Sequence, residues 1–222
     1  METKNIIIIA VIVIIIAILG VVFATGMLNG GTKNVETTPF ETKFMDGSFT
    51  GNVKLVNDSL EYMHSYEDKE HHITYNISTV DNSSALMEIY SLQGITNPEE
   101  RSFNGNDWNI YFTQAVPGDV NVSNSSGKEM NIIIAESQAK KQGYLIYMII
   151  DSESDINSTG NIFGESYTDY MQPLLESITL KESNDVPKIY EQFGLTKDQF
   201  DQQMDLVAQY KAGNTSVLEG TG

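Results

Sequence analysis

The sequence predicts an α+β protein: one N-terminal transmembrane helix, then an antiparallel sheet with packed helices, then a C-terminal helical hairpin. Three observations predict it. Ile6 to Ala24 reads IIIIAVIVIIIAILGVVFA, with no charge and no strongly polar group. Further on, aromatic and β-branched runs alternate with polar turns, most clearly MNIIIA at 130–135 and YLIYMII at 144–150, which is the signature of strands. Helical spacing with capping residues occurs in only three places after residue 80. The chain has 222 residues, of which 41% are hydrophobic and 19% charged, a globular rather than a disordered composition. Beyond the apolar segment and the linker that follows it, about 180 residues remain, enough for one ordinary domain with a small appendage.

The parts divide as follows: 1–5 a cytoplasmic tail, 6–24 the anchor, 25–41 a linker, 42–183 an extracytoplasmic α+β domain, 184–213 a helical hairpin and 214–222 a flexible tail. As a helix, the anchor would be about 28 Å long, close to the hydrocarbon thickness of a bilayer. A cleaved signal peptide is the competing reading, with Val22-Phe23-Ala24 as a passable cleavage site; the length of the apolar run favours an anchor that stays. Lys4 and the α-amine precede the run, and no cation follows it before Lys33, so the positive-inside bias leaves the tail inside. Asn-x-Ser/Thr sites start at Asn57, Asn76, Asn82, Asn121, Asn124, Asn157 and Asn214. Such sites are glycosylated only outside the cytoplasm, and both arguments place the bulk of the chain outside. An Asn- and Ser-rich composition is the plainer account of the sites.

Thr25 to Glu41, rich in Gly, Thr and Asn, reads as a tether. Phe44, Phe49, Val53 and Leu55 predict one or two short strands with a turn at Asp46-Gly47. Leu60–Tyr66 and Ile73–Val80 flank Asp68-Lys69-Glu70 and predict a hairpin. ALMEIYSLQG reads as a helix capped by Ser83 or Ser84 and closed by Gly94, with a strand as the alternative. Asn104-Gly105 is a tight-turn signal leading into the strand Trp108–Thr113. Pro117 to Lys128 reads as an exposed loop. Met130–Ala135 and Tyr144–Ile150 flank a Lys140–Gly143 turn and should form the centre of the sheet. A polar loop follows from Asp151 to Asn161. Phe163 to Ile178 carries a helical stripe interrupted by Pro173, so the helix either kinks or hands over to a second one. Thr179-Leu180-Lys181 adds a last strand. At the C-terminus a helix ends at Phe193 before Gly194, and Thr196-Lys197-Asp198-Gln199 is a capping box. It opens a second helix whose narrow apolar face is Phe200, Met204, Val207 and Tyr210. That hairpin either packs on the main domain or docks on a partner.

The order of hairpin, helix, strands and apolar helix resembles the Mog1/PsbP-like fold. In that group a strand of the YLIYMII kind leads into a helix with Tyr-x-x-Tyr-x-x-Pro and a later Ser, and Tyr167, Tyr170, Pro173 and Ser177 occupy similar spacings over roughly residues 60–182, one residue short at the end. The anchor, the FNGNDWNIYF stretch and the DVPKIYEQFGL segment also resemble membrane-anchored extracytoplasmic proteins of methanogenic archaea. Neither resemblance supplies an activity, but the first implies an accessory or binding module rather than an enzyme.

The chemistry legible in the residues is mostly exclusion. Lys+Arg number 13 against 30 Asp+Glu, for a net charge of −17; a nucleic-acid backbone or an anionic headgroup needs the opposite balance. There is no cysteine, which removes disulfides, thiolate metal sites and Cys catalysis. Gly164-Glu165-Ser166-Tyr167-Thr168 lacks the second glycine of a nucleophile elbow. The segment ending in Gly127-Lys128 lacks both the first glycine and the final Ser/Thr of a phosphate loop. Closure of the first hairpin would bring His64 near His71 or His72, with Glu67, Asp68 and Glu70 close by, a set that could ligate zinc; a solvated turn is the plainer reading. Asp151, Glu153, Asp155 and Asn157 would share one side of an extended segment and attract calcium, although an EF-hand's glycine and final glutamate are replaced by Ile156 and Ile162. Trp108, Ile110 and Phe112 lie on one side of a strand and line either a groove or the core. Arg101 pairs with Glu99 or Glu100, or else anchors an anion. No catalytic, metal or cofactor residue is assigned. The expected role is a membrane-anchored binding or accessory module of the cell envelope, with an envelope protein or polymer as partner. A structural surface component is the alternative, and an envelope hydrolase the second.

Overall fold

The computed structural model describes residues 36–115 and 130–214. The anchor at 6–24, the tether up to residue 35, the loop at 116–129 with Asn121 and Asn124, and the tail after Asn214 lie outside them. Among the described residues no helix is long and apolar enough to cross a membrane.

The chain is a mixed α+β domain built on two antiparallel sheets. In order, the strands are β1 (Thr37–Glu41), β2 (Met45–Thr50), β3 (Val53–Leu60), β4 (Met63–Asp68), β5 (Ile73–Val80), β6 (Glu99–Phe103), β7 (Asn106–Ala115), β8 (Met130–Ala139), β9 (Gln142–Ile150) and β10 (Thr179–Leu180). The large sheet runs β3-β4-β5-β9-β8-β7-β6, and the small one β1-β2-β10. As the apolar run at 144–150 predicts, β9 is central and every one of its residues is buried. A strand covered on both faces needs no polar alternation. Tyr144, Ile146, Met148 and Ile150 join one core and Leu145, Tyr147 and Ile149 the other.

The first core is closed by the small sheet, through Phe40, Met45 and Phe49, and by a helical segment carrying Tyr167, Met171, Leu174 and Leu175. That segment is a π-helical turn, Ser166–Met171, running into an α-helix, here α2, Gln172–Ser177. It settles the problem posed by Pro173. The amide of Gln172 donates to the Tyr167 carbonyl, five residues back, and the wider π turn leaves room for a proline without an N–H in the first turn of α2. The helix starts three residues later than its apolar stripe suggests, and Phe163 is left 86% exposed. Ser177 fastens α2 to the small sheet, accepting from the Ser48 amide at 2.8 Å.

The second core is closed by α1 (Ser83–Ser91), α3 (Ile189–Gln192) and α4 (Lys197–Lys211). The cap of α1 is Asn82, one residue earlier than expected: its Oδ1 accepts from the Ala85 amide at 3.1 Å. The capping box of α4 is present, with Thr196 and Gln199 bonded reciprocally. Phe200 is buried in the second core with Met204 packed against it, Val207 is buried as well, and Lys211 pairs with Glu88 of α1. The C-terminal hairpin therefore packs on the main domain.

Two expectations are corrected. The stretch at 25–41 is not a tether to its end, because Thr37–Glu41 forms β1 and pairs with β2 throughout; alternation of Thr38 and Phe40 carries the strand signal, hidden by Pro39 at an edge, where a missing N–H is tolerated. Asp46-Gly47 is not a turn. β2 runs through it, and Gly47 sits opposite Phe40, where a Cβ would come within 2.9 Å of that ring. The turn lies at Gly51, with φ of 95°.

Candidate functional site

Beyond Ile150 the chain crosses one end of the large sheet as the loop 151–165. At its start the Asp151 amide donates to the His72 carbonyl at 3.0 Å, and Ser154 Oγ donates to the His71 carbonyl at 2.5 Å. At its far side Asn131 Nδ2, on β8, donates to Ser158 Oγ at 2.6 Å. The loop thus spans from the β4–β5 turn to the β7–β8 pair. It carries a different chemistry at each end.

The first end is a clamp. Asp68 is 1% exposed. Its Oδ1 accepts from the amides of Glu70 and His71 at 3.0 and 3.2 Å, and its Oδ2 meets His71 Nδ1 at 2.8 Å. The His71 ring stands edge-on to Tyr170, centroids 5.4 Å apart. Burial, reinforced by the charges of Asp68, Glu165, Asp155 and Asp169, pushes the Tyr170 phenol up to about 12. Burial raises Tyr75 beneath it well above its ordinary value, with Asp68 and Tyr170 adding to the effect. The tight turn closes around the buried Asp68 carboxylate and occupies both of its oxygens, while the Tyr75 hydroxyl is buried without a hydrogen-bond partner among the described residues.

The second end is a cleft of about 150 Å³ between the ends of β7 and β8 and the loop. Phe112, Ile133 and Ile150 supply its apolar lining, and Gln114, Asn131, Ser158, Thr159 and Ser166 its polar lining. Two of these hydroxyls are buried without a hydrogen-bond partner among the described residues, Thr159 Oγ1 and Ser166 Oγ. Ser166 is 0% exposed. A buried hydroxyl left unsatisfied costs on the order of 1–3 kcal/mol, so its survival calls for a reason.

The residues singled out from sequence fall as follows. His64 lies opposite Ile77, whereas His71 and His72 sit in the turn beyond the Asp68–Ile73 pair. The register therefore does not bring His64 to the other two. Asp151 Oδ1 accepts from the Glu153 amide at 2.9 Å, and Glu165 Oε2 accepts from the Asn157 amide at 3.2 Å; these carboxylates tie the loop to itself. Among the described residues no group of three or more His, Asp or Glu is placed to hold a metal ion. Arg101 pairs with Glu99 at 3.6 Å, the local option. Trp108 and Ile110 are core residues, and only Phe112 of that trio reaches the cleft.

Of the glycan-type asparagines, Asn76 is 1% exposed on β5, closed to any transferase in the folded domain. Asn82, Asn157 and Asn214 are exposed and Asn57 half-buried.

Sequence reasoning passed over Glu136. It is 2% exposed, accepting from Ser83 Oγ at 2.5 Å and from Asn109 Nδ2 at 2.9 Å. The signal was available in MNIIIAESQA, but ending the strand at Ala135 hid it. The arrangement pins the start of α1 to β8, and a Cβ on Gly143 would lie 2.3 Å from Ser83 Oγ. Ser166 was visible only as half of an incomplete nucleophile elbow, and nothing in the sequence marks Ser158 and Thr159 as its neighbours in the cleft.

No family model matches the chain, and no curated protein matches it. A crystal structure from Bacteroides thetaiotaomicron VPI-5482 is similar over 62% of this chain, with 5% identity and a TM-score of 0.39. The match spans 46% of that protein's chain, less than half its length, and a likeness at this level carries no argument.

Proposed function

We propose that this chain is a binding or accessory module of the cell envelope, held at a membrane by residues 6–24 with its α+β domain outside the cytoplasm. The observation that carries the binding role is the cleft at the end of the large sheet, with two buried hydroxyls that no described residue satisfies. Pockets that combine an apolar floor with a few convergent polar groups are the usual form of ligand sites. The neighbouring titratable groups are occupied in structure: Asp68 and His71 clamp a turn, and Asp151 and Glu165 bond loop amides. That supports a binder over a hydrolase. The uncharged run at 6–24 and the exposed asparagines of Asn-x-Ser/Thr sites support the location, and the order of strands and helices supports kinship with the Mog1/PsbP-like accessory group.

Crosslinking of the full chain in native membranes, followed by mass spectrometry, tests this reading. The expected result is a chain that stays in the membrane pellet through an alkaline carbonate wash and links to one stoichiometric envelope partner. Release by the wash, with only self-links, would overturn it.

A further inference from the structure

We propose that the cleft between β7, β8 and the 151–165 loop binds an uncharged, hydroxyl-rich ring of the size of a single sugar residue. This rests on the reading of the domain as a binding module and names the ligand class. The size comes first. A cavity of 150 Å³ equals the engineered apolar cavity that takes up one benzene, so one six-membered ring enters it; a pyranose is larger than benzene and keeps its outer substituents at the cleft's open mouth. The charge of the lining comes next. The chain has 13 basic and 30 acidic residues, yet among the described residues that line the cleft none is charged. An ion entering there would lose its water and meet no counter-charge from the described lining. That disfavours phosphates, carboxylates and amines together.

The polar lining then selects among neutral ligands. Gln114 Nε2 donates to Asn131 Oδ1 at 2.9 Å, and Asn131 Nδ2 donates to Ser158 Oγ at 2.6 Å. This chain fixes the orientation of both amides and leaves acceptor and donor positions on Gln114 Oε1 and the Ser158 hydroxyl. Ser166 Oγ and Thr159 Oγ1 have no partners among the described residues. Alternating donors and acceptors match vicinal hydroxyls, which are both. Phe112, Ile133 and Ile150, on the same sheet face as Gln114 and Asn131, suit the C–H face of a pyranose. A purely apolar ring would leave the hydroxyls unsatisfied, as they are now.

The test is saturation-transfer NMR on the full chain in lipid nanodiscs, free of glycosidic detergent. The probes are the methyl glycosides of glucose, galactose, mannose and N-acetylglucosamine, with glucose 6-phosphate and cyclohexane-methanol as controls. The expected result is transfer to the ring protons of at least one glycoside, with a Kd of about 1 mM or tighter, the range open to a ligand of this size. Affinity should fall at least about 10-fold in Ser166→Ala and in Asn131→Ala, equivalent to about 1.4 kcal/mol. Both controls should stay silent. Silence from all four glycosides, equal transfer to either control, or binding unchanged in both variants would overturn the proposal. If an envelope partner is still captured by crosslinking while the glycosides are silent, the cleft assignment fails and the accessory-module reading stands.

Discussion

The two ends of the 151–165 loop differ in how the loop's own contacts are satisfied, although the Tyr75 hydroxyl at the clamp end is also without a partner among the described residues. At the β4–β5 turn, Asp68 makes three hydrogen bonds and leaves neither oxygen idle. At the β7–β8 end, Ser166 and Thr159 keep buried hydroxyls that bond to nothing among the described residues. The first end reads as a structural joint, optimised for stability. The second gives up stability for no structural return, which is the behaviour expected of a surface that is completed by something else.

The contrast can be broken most forcefully at the clamp. Asp68→Ala would leave two turn amides and His71 without their acceptor, and should lower stability by about 3 kcal/mol, read as a shift of the urea midpoint at constant slope. Alkaline titration probes the same end. Tyr170 and Tyr66 are raised to about 12 from 10.0, so the folded state prefers the neutral phenol more than the unfolded state does. Their contribution is complete below pH 10 and should be lost progressively between pH 10 and 12, with phenolate absorbance rising as the circular dichroism signal falls. In Asp68→Ala a neighbouring negative charge is gone and Tyr170 should titrate earlier, provided the variant remains folded at pH 9. Asn131→Ala, which cuts the loop's bond to β8, should cost about 1 kcal/mol. Smallest, and opposite in sign, is Ser166→Ala: removal of a partnerless hydroxyl should raise stability by about 0.5 kcal/mol.

How much of this was legible in the sequence depended on whether a signal was local. The β6–β7 hairpin follows from Asn104-Gly105, whose φ angles of 50° and 77° fit a two-residue turn of that kind. The central place of β9 follows from its unbroken apolar run, and the start of α4 from its capping box. Even the turn at Lys140-Lys141 was located, although both lysines adopt positive φ without the residues that favour it. The misreadings were non-local. Gly47 looks like a turn until Phe40 lies across from it. Pro39 looks like a linker until β2 pairs alongside it. The three histidines look like a cluster until the register separates His64 from the turn. The cleft is the extreme case, since Phe112, Asn131, Ser158 and Ser166 come from four separate elements. Only the closing of the sheet end brings them together, and no spacing along the chain records it.

The most direct test of the account is the thermal stability of Ser166→Ala beside the wild-type chain, each measured with and without the glycoside that binds best. The account predicts a variant that is slightly more stable alone and is no longer stabilised by the sugar, because the hydroxyl is held in reserve for a ligand. A variant that is less stable than wild type, or one stabilised by the sugar to the same extent, would contradict it.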